Sequence, residues 1–273
     1  MTAITNKLNE ATTFIKQQTR VIPTVGIVLG SGLGNFTAEM KVEKEVSYHD
    51  IPHFPVSTVE GHLGKLIFGE LGGKQVVAMA GRFHFYEGYS TEQVVFPIRV
   101  MKRLGVETVL ISNAAGGVNT GFKVGDLMII KDHISFFTIN PLLGKNDDDL
   151  GPRFPDMSEP YSTTLINKAK SIAAELEINV HTGVYTGVTG PTFETRSEYR
   201  LIQLLGGDAV GMSTVQEVIA AVHAGMKVFA MSVITDIGIR EEDNIITHEE
   251  VLQAARDAEP KLTSIFIHML KAL

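Results

Sequence analysis

Apolar positions along the 273-residue chain recur in two spacings. Segments Ala3 to Thr19, Thr91 to Leu104, Tyr161 to Leu176, Arg196 to Leu205, Val215 to Ala224 and Thr247 to Leu270 carry helical spacing. The first reads as an amphipathic surface helix. The last opens on Thr247 and Glu250, the pattern of a capping box. Short apolar runs predict strands at Val25 to Leu29, Glu107 to Ser112, Asp126 to Ile134, Val180 to Gly187, Asp208 to Met212 and Lys227 to Thr235. Two more flank Gly72-Gly73 within Lys65 to Ala80, a predicted hairpin. Asn140 to Pro160 is polar and rich in Gly, Pro and Asp, so it reads as a long loop, and such loops in compact domains usually serve function. Strands alternating with helices predict an α/β fold. No repeat, low-complexity tract or linker divides the chain, so residues 1–273 read as a single domain.

Composition narrows what that fold can do. At 44 % hydrophobic the chain can bury one large core. Its 24 basic residues stand against 31 acidic ones, a net charge of −7. That balance argues against a wide basic face for nucleic acid, so any phosphate site must be local and built from a few residues. With no cysteine there are no disulfides, thiolate metal sites or thiol catalysis. The first twenty residues lack the apolar core of a signal peptide. No apolar run approaches the ~20 residues of a membrane helix. The expectation is a cytoplasmic protein with no membrane partner.

The densest chemistry lies in residues 187–217, GVTGPTFETRSEYRLIQLLGGDAVGMSTVQE. Glu194 follows Gly190, Pro191 and Phe193 on a predicted turn, and a carboxylate beside a ring suits a flat, nitrogen-rich heterocycle. Ser213 and Thr214 fall where a short strand meets a helix, which suits an anion. A plain N-cap role for Ser213 is compatible with that contact, since one hydroxyl both donates and accepts. Base and anion together suggest a nucleoside and phosphate.

Gly30-Ser31-Gly32-Leu33-Gly34 follows a strand and fits either a tight turn or an anion-binding loop. It is not a dinucleotide fingerprint, because Asn35 stands where glycine is needed and Asp50 does not end a strand. Gly81 to Tyr89, GRFHFYEGY, mixes a cation, an imidazole and rings. There Arg82 could grip phosphate through its forked donors, His84 could add a hydrogen bond or a proton, and Tyr86 could cover a sugar. An aromatic-rich structural loop is the competing reading. Asn113 to Gly117 offers bare amides or close layer packing. His49 and His53 have metal-ligand spacing, but Pro52 separates them and no carboxylate set is evident, so no metal is expected.

Taken together and in this order, GSGLG, EGH, GRFHFYEGY, SNAAGG, PRFP, GPTFET, VGMSTVQE and THEEV resemble the trimeric family of purine nucleoside phosphorylases, from about Val25 to Ala254. The resemblance implies a central mixed β-sheet flanked by helices. It implies reversible phosphorolysis of purine nucleosides, with purine nucleosides and inorganic phosphate as partners and no cofactor beyond that co-substrate. Phosphate would be bound by Ser31, His62, Arg82, His84, Ala114 (through its amide) and Ser213. Ribose would be held by Tyr86, Met212 and His248. The base would be held by Phe193, Glu194, Val210 and Asp236. His84, Glu194 and Asp236 would carry the catalysis. A homotrimer is implied too, each site borrowing Phe154 from a neighbouring subunit.

The family member selective for 6-oxopurines has asparagine where this chain has Asp236. An amide can donate to O6 or N7, whereas an ionised aspartate only accepts; a protonated Asp236, favoured by burial and the like charge of Glu194, could instead donate to N7 and help either base leave. Adenosine is therefore expected beside inosine and guanosine, unless a backbone shift or a water lets Asp236 serve as asparagine does. Phosphorylases of 5′-methylthioadenosine also carry aspartate here but need an apolar pocket in place of His248. A non-catalytic purine sensor on the same fold would be expected to lack Arg82, His84, Glu194 or Ser213, and all four are present.

Overall fold

The computed structural model describes residues 2–58, 63–239 and 247–273. Among these, nine strands join one sheet in the order β2-β3-β4-β1-β5-β8-β7-β6-β9. The elements follow one another as α1 (Ala3–Gln18), β1 (Val25–Val28), β2 (Lys41–Ser47), β3 (Lys65–Leu71), β4 (Lys74–Ala80), α2 (Thr91–Leu104), β5 (Thr108–Gly117), β6 (Leu127–Phe137), α3 (Thr163–Glu175), β7 (Val180–Val188), α4 (Arg196–Leu204), β8 (Ala209–Gly211), α5 (Val215–His223), β9 (Lys227–Ile237) and α6 (His248–Ala272). The sheet is mixed. β1 runs parallel to β4 and β5, while β2, β3 and β4 form an antiparallel meander. β5 pairs with β8 on one side and β9 on the other, so β5, β8, β7, β6 and β9 close on themselves.

Burial explains most of these elements. All of β1 is buried, as expected of a parallel strand covered on both faces. α2 starts at a Ser90–Gln93 capping box and stops at Gly105, whose φ of 113° ends the helix without the penalty a side chain would add. α1 sets Leu8, Ala11 and Ile15 into the core, the face its spacing predicts. The Gly72-Gly73 hairpin joins β3 to β4 in full antiparallel register. Between β6 and α3 the chain is irregular through the expected long loop.

Three expectations need correction. β2, KVEKEVS, is an additional strand: it lies at the sheet edge with one fully buried residue, Val46, so it carries no apolar alternation. β5 does not end at Ser112 but continues through Asn113 to Gly117, paired to β9 along its length and to β8 at its tip. β9 likewise runs two residues beyond Thr235, which places Asp236 on a strand.

Candidate active site

The C-terminal ends of β5 and β9, together with β8, form one wall of a cleft. Into it come Ser31 from the glycine-rich turn after β1, Arg82, His84 and Tyr86 from the segment after β4, and Ala114 from β5. Phe193 and Glu194 come from the segment before α4. Val210, Met212 and Ser213 come from β8 and the turn after it. Asp236 comes from β9 and His248 from the first turn of α6. Each of these residues was singled out by the sequence, and the fold gathers them in one place.

One end of the cleft is built for an anion. Gly30 packs so closely that a Cβ there would meet Asn113 Cα at 2.8 Å, and the same turn exposes Ser31 to the cleft, so the turn serves both packing and site. Arg82 is 1 % exposed. Its Nε and Nη2 donate to the two carboxylate oxygens of Glu217 on α5, at 3.1 and 2.9 Å. Its Nη1 donates to the Ser112 carbonyl at 2.6 Å and reaches Ser213 Oγ at 3.5 Å. A guanidinium gripped by a carboxylate on one side and a carbonyl on the other is fixed in orientation.

His84 lies in extended backbone beside Arg82, with Phe83 turned the opposite way into an aromatic cluster with Tyr48, Phe54 and Tyr89. Tyr48 Oη donates to the Gly81 carbonyl at 2.7 Å, fixing the approach to Arg82. In GRFHFYEGY the cleft-lining residues Arg82, His84 and Tyr86 thus flank Phe83, which packs into the aromatic cluster. The His84 ring stacks on Tyr86 at 4.7 Å, and its Nδ1 lies 3.1 Å from Glu87 Oε1. Burial pushes the His84 imidazole below its usual range, against the opposing pull of Glu87. Burial would raise Glu87, but hydrogen bonds from His84 and Thr58 outweigh it and bring the carboxyl down to about 2.

The turn carrying Ser213 differs from expectation. Thr214, not Ser213, occupies the cap position of α5, and its side chain makes no cap hydrogen bond. Thr214 has φ 70° and ψ −54°, and the Val215 N–H donates to the Ser213 carbonyl at 2.7 Å. This is a γ-turn of the strained hand, on a β-branched residue. Asn113 Nδ2 donates to Thr214 Oγ1 at 2.8 Å and so braces the turn from β5. Strain of this kind persists only where surrounding contacts enforce it.

The other end carries carboxylates. Asp236 is buried, accepting from Thr235 Oγ1 at 3.2 Å and from Tyr199 Oη at 3.5 Å. Opposite it in the β5–β9 ladder stands Gly116, where a Cβ would lie 3.0 Å from the Asp236 carboxylate. Burial raises the Glu194 carboxyl; the charges of Asp236 and Glu198 add to this, while hydrogen bonds from the backbone and Tyr199 oppose it. Tyr199 joins the two acids. Its ring packs on Gly238, where a Cβ would sit 2.1 Å away.

One expected residue lies elsewhere, and one is not among those described. Phe154 is 87 % exposed on the long loop, its ring under the Arg153 guanidinium, and lines a separate surface hollow with Leu142 and Leu143. His62 lies outside the described residues. Sequence reasoning missed Glu217, Asn113 as a brace, Tyr199 and Val251. Each reads as an ordinary helix or strand residue until the chain folds; the Asn113 segment was noted only for its amides.

The profile of the phosphorylase superfamily matches residues 24–271. Purine nucleoside phosphorylase 1 of Bacillus subtilis (strain 168) is 51 % identical over 268 residues, covering 98 % of this chain and 97 % of that protein. Isoform 2 of purine nucleoside phosphorylase from Schistosoma mansoni, solved in complex with cytosine and ribose-1-phosphate, is 44 % identical with a TM-score of 0.94, covering 98 % of this chain and 96 % of that one. Schistosoma mansoni purine nucleoside phosphorylase in complex with adenosine also has a TM-score of 0.94, at 41 % identity, covering 100 % of this chain and 99 % of that one. Sequence, fold and the contents of the cleft converge: the chain belongs to the purine nucleoside phosphorylase family of the phosphorylase superfamily.

Proposed function

We propose that this chain catalyses the reversible phosphorolysis of purine nucleosides. A phosphate oxygen forms a bond to C1′ of the sugar, the C1′–N9 bond breaks, and its electron pair leaves with the purine, which takes up a proton. The products are free base and ribose 1-phosphate, with inversion at C1′. The observation that carries this reading is the division of one cleft: an arginine, an imidazole and hydroxyls at one end, and two carboxylates with a ring at the other.

In this reading Ser31, Arg82, His84, Ser213 and the Ala114 amide hold the phosphate. Tyr86, Met212 and His248 hold the ribose. Positive charge develops on the sugar as the bond to the base breaks, and the anion beneath it is both nucleophile and electrostatic stabiliser. Phe193 and Val210 pack the base, while Glu194 and Asp236 meet its polar edge and ease its departure. No cofactor is required. The same reading includes a cytoplasmic homotrimer.

Asp236 extends the substrate range. Thr235 Oγ1 and Tyr199 Oη lie within hydrogen-bond distance of its carboxylate, and in its ionised form that carboxylate can only accept. Such a group accepts from the 6-amino group of adenine and repels O6. Adenosine in complex with the Schistosoma mansoni protein supports a 6-aminopurine at this fold's site. The test is initial rates of base release from adenosine and inosine, each with and without phosphate. Both should be cleaved, and only when phosphate is present. Asp236→Asn should shift the adenosine-to-inosine ratio of kcat/KM toward inosine by about 10- to 100-fold, the worth of one charge-assisted hydrogen bond. An unchanged ratio would refute the role given to Asp236, and base release without phosphate would refute phosphorolysis.

A further inference from the structure

A second cavity, of about 450 Å³, opens between α1, α2 and the long loop. Thr5 and Asn9 line it from α1, Arg99, Lys102 and Arg103 from α2, and Asp149 from the loop; none of these lines the active-site cleft. The three cations stand at helical spacing i, i+3 and i+4, and so share one face. Among the described residues none of them forms an ion pair with a carboxylate.

Arg99 is the least expected of the three. It is 7 % exposed, and Nη1 lies 3.3 Å from Nδ1 of His223, a neutral partner in that contact because an arginine can only donate. Burial lowers the Arg99 guanidinium below its usual range, opposed by the more distant charges of Glu92 and Asp147. Arg103 donates to Asn9 Oδ1 at 2.9 Å, but its buried Nε has no hydrogen-bond partner among the described residues. The nearby acids are engaged elsewhere. Glu92 pairs with Lys7 at 3.5 Å, and Asp147 accepts from Thr2, Thr5 and the Asp149 N–H. Asp149 alone supplies a carboxylate to the cavity wall.

A helix-dipole role accounts for Lys102 and Arg103, which lie in the last turn of α2. It does not account for a buried arginine one turn earlier, nor for a cavity in front of it. Burying a cation with no carboxylate in direct ion-pair contact is costly, and in a chain of net charge −7 carboxylates are not scarce.

We propose that this cavity is a second anion site, which takes a phosphoryl group on the Arg99 and Arg103 guanidiniums with Lys102 at the rim. Two forked donors and an ammonium match three phosphoryl oxygens. The volume falls within the ~300–1,000 Å³ of small-molecule sites and so admits a phosphate monoester as well as inorganic phosphate.

The test is equilibrium dialysis of the full chain against radiolabelled inorganic phosphate. Wild type should bind two phosphates per chain. Lys102→Glu with Arg103→Gln should weaken one of the two at least about tenfold while phosphorolysis stays within about twofold of wild type. Arg99→Met should do the same, and the double variant, nearer the surface, decides the matter if Arg99→Met does not fold. One phosphate per wild-type chain that survives in the double variant overturns the proposal, as do two that survive there. One that is lost in the double variant supports this site and removes the active-site reading instead. Competition with ribose 5-phosphate separates the sources. Displacement of the second phosphate identifies an ester, and retention identifies inorganic phosphate.

Discussion

At the scale of the residue, the buried Arg82–Glu217 pair sets the character of the anion end. Glu217 neutralises the arginine and fixes the orientation of its guanidinium. Glu217→Ala leaves a buried guanidinium without a counter-charge and should cost about 3–5 kcal/mol of stability. Added phosphate should then raise the Tm of the variant more than that of wild type, because the anion becomes the missing partner. Equal shifts would mean that phosphate does not meet Arg82. Glu194 makes a second prediction. Burial raises its carboxyl, so the neutral form persists to higher pH than for an ordinary glutamate. With Glu194 at the N1 edge of the base, the neutral acid donates to N1 of adenine, whereas the ionised acid accepts from N1–H of a 6-oxopurine. The adenosine-to-inosine ratio of kcat/KM should therefore rise as pH falls from about 8 to 5. A flat ratio would place Glu194 away from N1.

At the scale of the element, α6 brings His248 to the cleft at its first residue, and the Thr247–Glu250 capping box holds that end. Thr247→Ala should cost about 0.5–2 kcal/mol in denaturant unfolding and raise the KM for nucleoside, with the KM for phosphate little changed. This capping box was legible in the sequence, as were the six helices and the buried strands, because each rests on local spacing or on a continuous apolar run. β2 was not legible: an exposed edge strand with alternating charges shows none of the apolar alternation of a strand with one face in the core. Nor was the tail of β5. Ala114 to Gly117 have weak strand preference of their own and are extended because β8 and β9 pair with them. Most cleft-lining residues were readable because they fall in the short motifs that carry the family resemblance. Glu217 and Tyr199 were not, since a helix acid and a helix aromatic acquire their partners only across the fold.

At the scale of the whole molecule, the long loop presents apolar side chains to the outside. Leu143 and Phe154 on that loop, and Phe136 near the end of β6, are each more than 70 % exposed. Exposure of this kind is usually covered by a partner, and here a second copy of the chain is expected to cover it. Light scattering should give the mass of three chains, and Phe154→Ala should lower kcat/KM for nucleosides with little change in the stability of the isolated fold. A mass near 29.7 kDa would remove Phe154 from the site. The pairing of β5 with β9 has a further consequence. In the proposed reading, the strand beside the anion, β5, and the strand that bears the acid for the base, β9, are neighbours in one ladder, with Asn113 opposite Ser232 and Gly116 opposite Asp236. Neighbouring strands keep a separation of about 4.8 Å, and no hinge lies between them. The span from nucleophile to leaving group is thus gauged by the sheet itself, as by a fixed ruler. Selection among substrates then falls to what decorates the purine and the sugar, while the distance between the two is the same for all of them.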